Sequence, residues 1–131
     1  MIEARFTFVA DGSSDRALMP VLEWLLRFHC QKCVFEPQWA DLTMVPKRKR
    51  PGTLAEKLLL SVELFPCELL FVHRDAEREI PQKRYQEIDQ AVQTAGLASL
   101  PVVCVVPVRM QEAWLLFDEV ALRRAASNPN G

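Results

Sequence analysis

Apolar runs and apolar stripes alternate along this chain. Residues 4–10 (ARFTFVA) bring Phe6, Phe8 and Val9 together in a short run with strand character. A small polar turn follows, Asp11-Gly12-Ser13-Ser14-Asp15, in which a serine can cap a helix and Asp15 complements its dipole. Leu18, Val21, Leu22, Leu25 and Leu26 then recur at helical spacing, with Pro20 either kinking that helix or marking its start. Residues 33–44 read as a strand broken at Pro37 and lying near a sheet edge. Thr53 and Glu56 have the spacing of a capping box, and Leu54, Leu58, Val62 and Phe65 form the stripe of the helix that Pro66 ends.

The run Leu69-Leu70-Phe71-Val72-His73 is apolar without alternation, which predicts a strand buried on both faces. A charged loop, residues 74–79, leads into a helix with Ile80, Tyr85, Ile88 and Val92 as its apolar positions and Gly96 as its stop. Residues 101–107 (PVVCVVP) are a β-branched strand between prolines. A helix over 108–117 and a further helical segment over 119–126, capped by Asp118, are expected after it. The order β-α-β-α-β-α-β-α predicts an α/β, Rossmann-like fold: a mostly parallel four-stranded sheet with helices on both faces.

Composition narrows the picture modestly. At 131 residues the expectation is one domain, and the chain's ending without a closing element is compatible with its being the N-terminal part of something longer. A net charge of −1, from 16 basic and 17 acidic residues, removes any bulk electrostatic case for nucleic acid, so such a role rests on local patches. The sequence holds no apolar run of transmembrane length and no signal-peptide pattern, and a cytoplasmic protein is the expectation. Cys30 and Cys33 have C-x-x-C spacing with His29 adjacent, but the only other histidine is His73. Free thiols in a reducing compartment are therefore expected before a zinc site or a redox pair.

The chemistry gathers at the strand ends. Asp11 follows the first strand, Asp75 and Glu77 the third, and Glu112 the fourth. Asp75 and Glu77, two apart on an extended segment, share a side. Carboxylates gathered at one sheet edge repel unless a cation lies among them, and oxygen ligands suit Mg²⁺ or Mn²⁺. Each residue also has a plainer reading. Asp11 serves as a turn residue, Asp75 and Glu77 as loop charges paired with Arg74 and Arg78, and Glu112 as a first-turn helix residue. His73 is either a satisfied core histidine or a group that touches phosphate or moves a proton. Lys47-Arg48-Lys49-Arg50, between prolines, is a solvated loop or a guide for a nucleic-acid backbone.

Two motifs carry a resemblance: Phe8-Val9-Ala10-Asp11-Gly12 before a helix, and Phe71-Val72-His73-Arg74-Asp75-Ala76-Glu77 at a strand end. Together they look like the Toprim domain of topoisomerases, primases and overcoming-lysogenization-defect nucleases. With Glu112-Ala113-Trp114-Leu115-Leu116, the pattern over residues 4–126 resembles small bacterial Toprim-like proteins encoded beside ATPases and linked to defence against phage. The resemblance implies Mg²⁺-dependent phosphodiester chemistry on DNA or RNA. Asp11 falls where the family has a glutamate acting as general acid or base, and Asp75 and Glu77 fall on its acidic-x-acidic metal motif. Asp replaces Glu at the first position and Glu replaces Asp at the last, so reach and geometry differ. Tyr85, the only tyrosine, lies on a helix stripe, which favours hydrolysis by water over strand passage.

The expected function is thus a metal-dependent nuclease. Asp11, Asp75 and Glu77 are its catalytic and metal residues, and Glu112 is a supporting ligand. Lys47, Arg48, Lys49, Arg50, Arg74, Arg78 and Arg109 contact nucleic acid. The alternative is a non-catalytic Toprim-like subunit partnering a separately encoded ATPase, since the chain has no Walker-type loop. A homodimer is compatible with either. A third reading takes Gly12-Ser13-Ser14 as a small-molecule phosphate site.

Overall fold

The computed structural model describes residues 2–76 and 78–107. Four strands form one sheet: β1 (Ile2–Val9), β2 (Cys33–Trp39), β3 (Leu69–His73) and β4 (Val102–Val105). Every pairing is parallel, and the order across the sheet is β2-β1-β3-β4. Three α-helices connect them: α1 (Met19–His29), α2 (Leu54–Leu64) and α3 (Pro81–Thr94). The expected α/β architecture is therefore present.

The order fixes which face each helix covers. The chain leaves β1 for one edge through α1, then returns past β1 to β3 through α2 and continues outward through α3. Crossovers of one hand that run in opposite directions put their helices on opposite faces. One face accordingly buries Phe6, Phe8, Phe71, Val103 and Val105 with Leu22 and Leu26 of α1. The other buries Val9, Leu70 and Val72 with Leu58 of α2 and Ile88, Ala91 and Val92 of α3. All five residues of β3 are buried, as a central strand covered on both sides requires.

Local signals explain most boundaries. A 3₁₀ turn over Ser13–Leu18 precedes α1, and Pro20 sits in the first turn of that helix, so it marks the start and does not kink it. The Thr53 hydroxyl accepts the Glu56 amide at 3.1 Å, and the Glu56 carboxylate accepts the Gly52 amide at 3.0 Å. Gly96, with φ +73°, turns the chain after α3.

Three expectations are corrected. β2 is not broken at Pro37 but runs through it, because an edge strand has a side with no partner to miss the proline N–H. Ile80 is not an inward helix position; it precedes α3 and is 67% exposed. Cys30 and Cys33 are not free thiols but a disulfide. Cys30 ends α1, and a tight turn, with the Cys33 amide donating to the Cys30 carbonyl at 3.3 Å, brings the Cα atoms within 5.5 Å. The spacing alone did not reveal that the two side chains converge. The helices expected over 108–117 and 119–126 lie outside the described residues. Among the described residues, no helix is long and apolar enough to cross a membrane.

Candidate functional site

Strand order reverses between β1 and β3, and the crevice outside their carboxyl ends is where sheets of this type bind ligands. Asp11 follows β1 and Asp75 follows β3, so the topology brings both to that crevice.

Their juxtaposition has a backbone cause. Beyond His73 the chain stays extended: the Arg74 and Ala76 amides donate to the carbonyls of Val105 and Pro107 at 3.0 and 3.2 Å. Alternate amides of a strand face opposite neighbours, so the Asp75 amide points toward β1. But β1 has ended at Val9. The acceptor that the strand no longer supplies is the Asp11 carboxylate, whose Oδ2 lies 3.2 Å from the Asp75 nitrogen.

The same alternation sorts the surrounding groups. His73 and Asp75 share the α1 side of the strand. His73 is buried, its ring 6.2 Å from that of Phe8 and edge-on to it. Its Nδ1 is 3.4 Å from Asp15 Oδ2 and its Nε2 is 3.4 Å from Asp75 Oδ1. Among the described residues Nδ1 nevertheless makes no hydrogen bond. Asp15 also accepts the Gly12 amide at 3.0 Å, which fixes the turn that carries Asp11.

Cations occupy the α2–α3 side. Arg74 reaches Asp11 Oδ1 at 3.7 Å and Glu87 Oε2 at 3.5 Å. Arg84 of α3 donates to the Asp75 carbonyl at 2.9 Å and to both oxygens of Glu87 at 2.9 and 2.8 Å. Those hydrogen bonds from Arg84 hold the Glu87 carboxyl below its ordinary range. Lys57 of α2 donates to the Ala10 carbonyl at 2.7 Å, beside Asp11. Burial pushes its ammonium below the ordinary lysine value, and nearby Asp11 and Asp15 offset part of that. Asp11 thus lies between an acidic wall and a basic one.

Of the expected site residues, Asp11, Arg74 and Asp75 meet at the crevice. Arg78 is exposed on the loop before α3. Lys47, Arg48, Lys49 and Arg50 are exposed between β2 and α2, on the same sheet edge. Arg50 is engaged in its own loop, donating to the carbonyls of Val45 and Thr43 at 3.0 and 3.1 Å. Glu77, Arg109 and Glu112 lie outside the described residues.

Asp15, Lys57, Arg84 and Glu87 are site groups that motif reading passed over. Arg84 had a signal: it falls four residues before buried Ile88, a charge on an apolar stripe. Lys57 borders the Leu54–Leu58 stripe in the same way.

Comparison with protein-family models, curated proteins and solved structures gives no match. Among the described residues, no three or more His, Cys, Asp or Glu side chains form a group that could hold a metal ion. Asp11 and Asp75 supply two carboxylates, the hard oxygen donors that Mg²⁺ or Mn²⁺ prefers. Mg²⁺ is usually held by one or two carboxylates, with water and substrate phosphate completing its shell. Two carboxylates match such an ion in number and donor type; in the structure the Asp11 carboxylate lies on the Asp75 amide and the Asp75 carboxylate beside His73.

Proposed function

We propose that this chain is a Toprim-like phosphodiester hydrolase dependent on Mg²⁺ or Mn²⁺, acting on DNA or RNA in the cytoplasm. The observation that carries this reading is the Asp11–Asp75 junction at the β1/β3 crevice. Two strand ends, 64 positions apart in sequence, deliver acidic residues to one place.

Bound there, the metal would activate water and neutralise charge on the phosphodiester. The protein's own groups do the rest. Asp11 and Asp75 would hold the ion, and Asp11 would also serve as an acceptor for the proton of attacking water. His73 steadies the Asp75 carboxylate from its buried position. Arg74, 3.7 Å from Asp11, sets a positive charge beside the place a phosphate would take. Glu77 and Glu112 extend the ligand set in this reading, and the loop Lys47–Arg50 with Arg78 and Arg109 tracks the backbone of the substrate. Defence against phage is the setting that the Toprim resemblance implies.

The test is nicking of plasmid DNA, and cleavage of single-stranded DNA and RNA, with Mg²⁺ or Mn²⁺. Wild type cuts, and Asp75→Asn reduces the rate roughly 100-fold or more. No cutting with any metal or nucleic acid rejects the hydrolase.

One observation favours the second reading, a subunit that binds a partner such as an ATPase or another copy of itself. Trp24 and Phe28 stack at 5.7 Å on α1 while 61% and 66% exposed. An exposed aromatic pair is the residue type that anchors protein interfaces. In that case Trp24→Ala abolishes co-purification with the partner while Asp75→Asn leaves it intact.

A further inference from the structure

Lys57 is not part of either motif, and its chemistry is unusual for a surface helix. It lies on the first turns of α2, yet its ammonium is directed at the end of β1, 2.7 Å from the Ala10 carbonyl. That neutral oxygen is its only hydrogen-bond partner among the described residues, and it makes no ion pair with them within 4.0 Å. An ammonium has three donors, so two remain for another group. The site also withdraws water from it, and a half-buried cation with no bonded anion carries a cost that an arriving anion would relieve. A plain tie between α2 and β1 needs no charge. Arg74, on the same side of the strand, reinforces the positive wall and is itself turned toward Asp11.

We propose that Lys57 is a phosphate-contacting residue of the β1/β3 crevice, placing its ammonium on a non-bridging oxygen of the substrate phosphodiester next to Asp11. This rests on the hydrolase reading for its substrate class, but its binding role is measurable without cleavage. The phosphate oxygen accepts one of the two remaining donors. Ala10 holds the lysine in place beforehand, so little side-chain freedom is lost on binding.

The experiment compares wild type, Lys57→Gln and Lys57→Arg. Binding of a fluorescent single-stranded oligonucleotide is measured in EDTA over a range of salt concentrations, and cleavage is measured with Mg²⁺. Thermal unfolding confirms that each variant folds. Lys57→Gln weakens binding roughly tenfold. It lowers the slope of log affinity against log salt by about 0.7, the signature of one lost phosphate contact on a single strand. Lys57→Arg, which keeps the charge, restores the slope, as a merely structural lysine would not require. If Lys57→Gln folds and binds with wild-type affinity and slope, the proposal is overturned, whether or not wild type cleaves. Should Lys57→Gln fail to fold, Lys57→Met decides. A folded methionine variant that binds with a slope about 0.7 lower than wild type supports the proposal, and one that keeps the wild-type affinity and slope overturns it. Lysine-dependent binding without cleavage in any metal supports this contact and rejects the hydrolase. A wild type that neither binds nor cleaves rejects both.

Discussion

The Asp75 amide donates to the Asp11 carboxylate at 3.2 Å, at a point where β1 has already ended and can offer no carbonyl. Asp11 therefore has two duties. It closes the hydrogen bonding of the sheet at the switch point, and it presents charge to the crevice. The duties separate by substitution. Asp11→Asn keeps an acceptor at this position and loses the charge, whereas Asp11→Ala loses both. In the proposed hydrolase both variants should lower cleavage by roughly 10²- to 10⁴-fold. Only Asp11→Ala also loses stability, by about 1 kcal/mol in urea unfolding, because the Asp75 amide is left to water. Equal stability of the two variants would count against the structural duty.

At the opposite end of the sheet, Glu68 accepts the Arg5 backbone amide at 2.9 Å and its guanidinium at 2.8 Å, joining β1 to the start of β3. Those hydrogen bonds hold the Glu68 carboxyl below its ordinary value of 4.5. A lowered folded-state pKa means stabilisation that is complete above the ordinary value and is lost as pH falls through the folded one. Glu68→Gln should thus melt below wild type at pH 7. The gap should shrink below pH 4.5 and close in stronger acid. Melting curves across that range check it; a gap independent of pH would refute the assignment.

The cysteines divide into two classes. Cys30 and Cys33 are bonded to each other, while Cys67 and Cys104 are in no disulfide. Alkylation of the native protein without reductant should label Cys67 and Cys104 alone, with Cys67 slow at neutral pH because burial pushes its thiol up. Reduction before labelling should expose the other two. Mass spectrometry reads both counts, and labelling of Cys30 or Cys33 without reductant would contradict the pairing.

Phe71 sits at the centre of β3, fully buried, with its ring 5.3 Å from that of Phe6. Phe71→Ala should cost about 3–5 kcal/mol in denaturant unfolding. A cost below about 1 kcal/mol would mean that the sheet face is not packed as described.

The sheet was legible because its signals are local and strong. The unbroken apolar run of Leu69–His73 could only be a strand covered on both faces, and the Thr53–Glu56 capping box fixed where α2 begins. Pro37 misled because a proline's cost depends on whether its strand has a neighbour on that side, which sequence does not state. Asp11 and Asp75 were legible as strand-end acids. That one accepts the other's amide follows from the strand order, which places β1 beside β3 despite β2 intervening in the chain. Asp15 follows the helix-dipole pattern in sequence, and in the fold it also faces His73. Lys57 and Arg84 were missed because each belongs to a helix stripe, where a lone charge has no motif around it.

Whether Asp11 and Asp75 form the proposed cation-binding pair is decided by titrating the protein with Mn²⁺ and following the loss of free-ion paramagnetic resonance signal. The expected result is saturable binding by wild type that weakens at least tenfold in Asp11→Asn and in Asp75→Asn alike, with the fold intact in both. Mn²⁺ binding unchanged by either substitution, or absent from wild type, would contradict the claim.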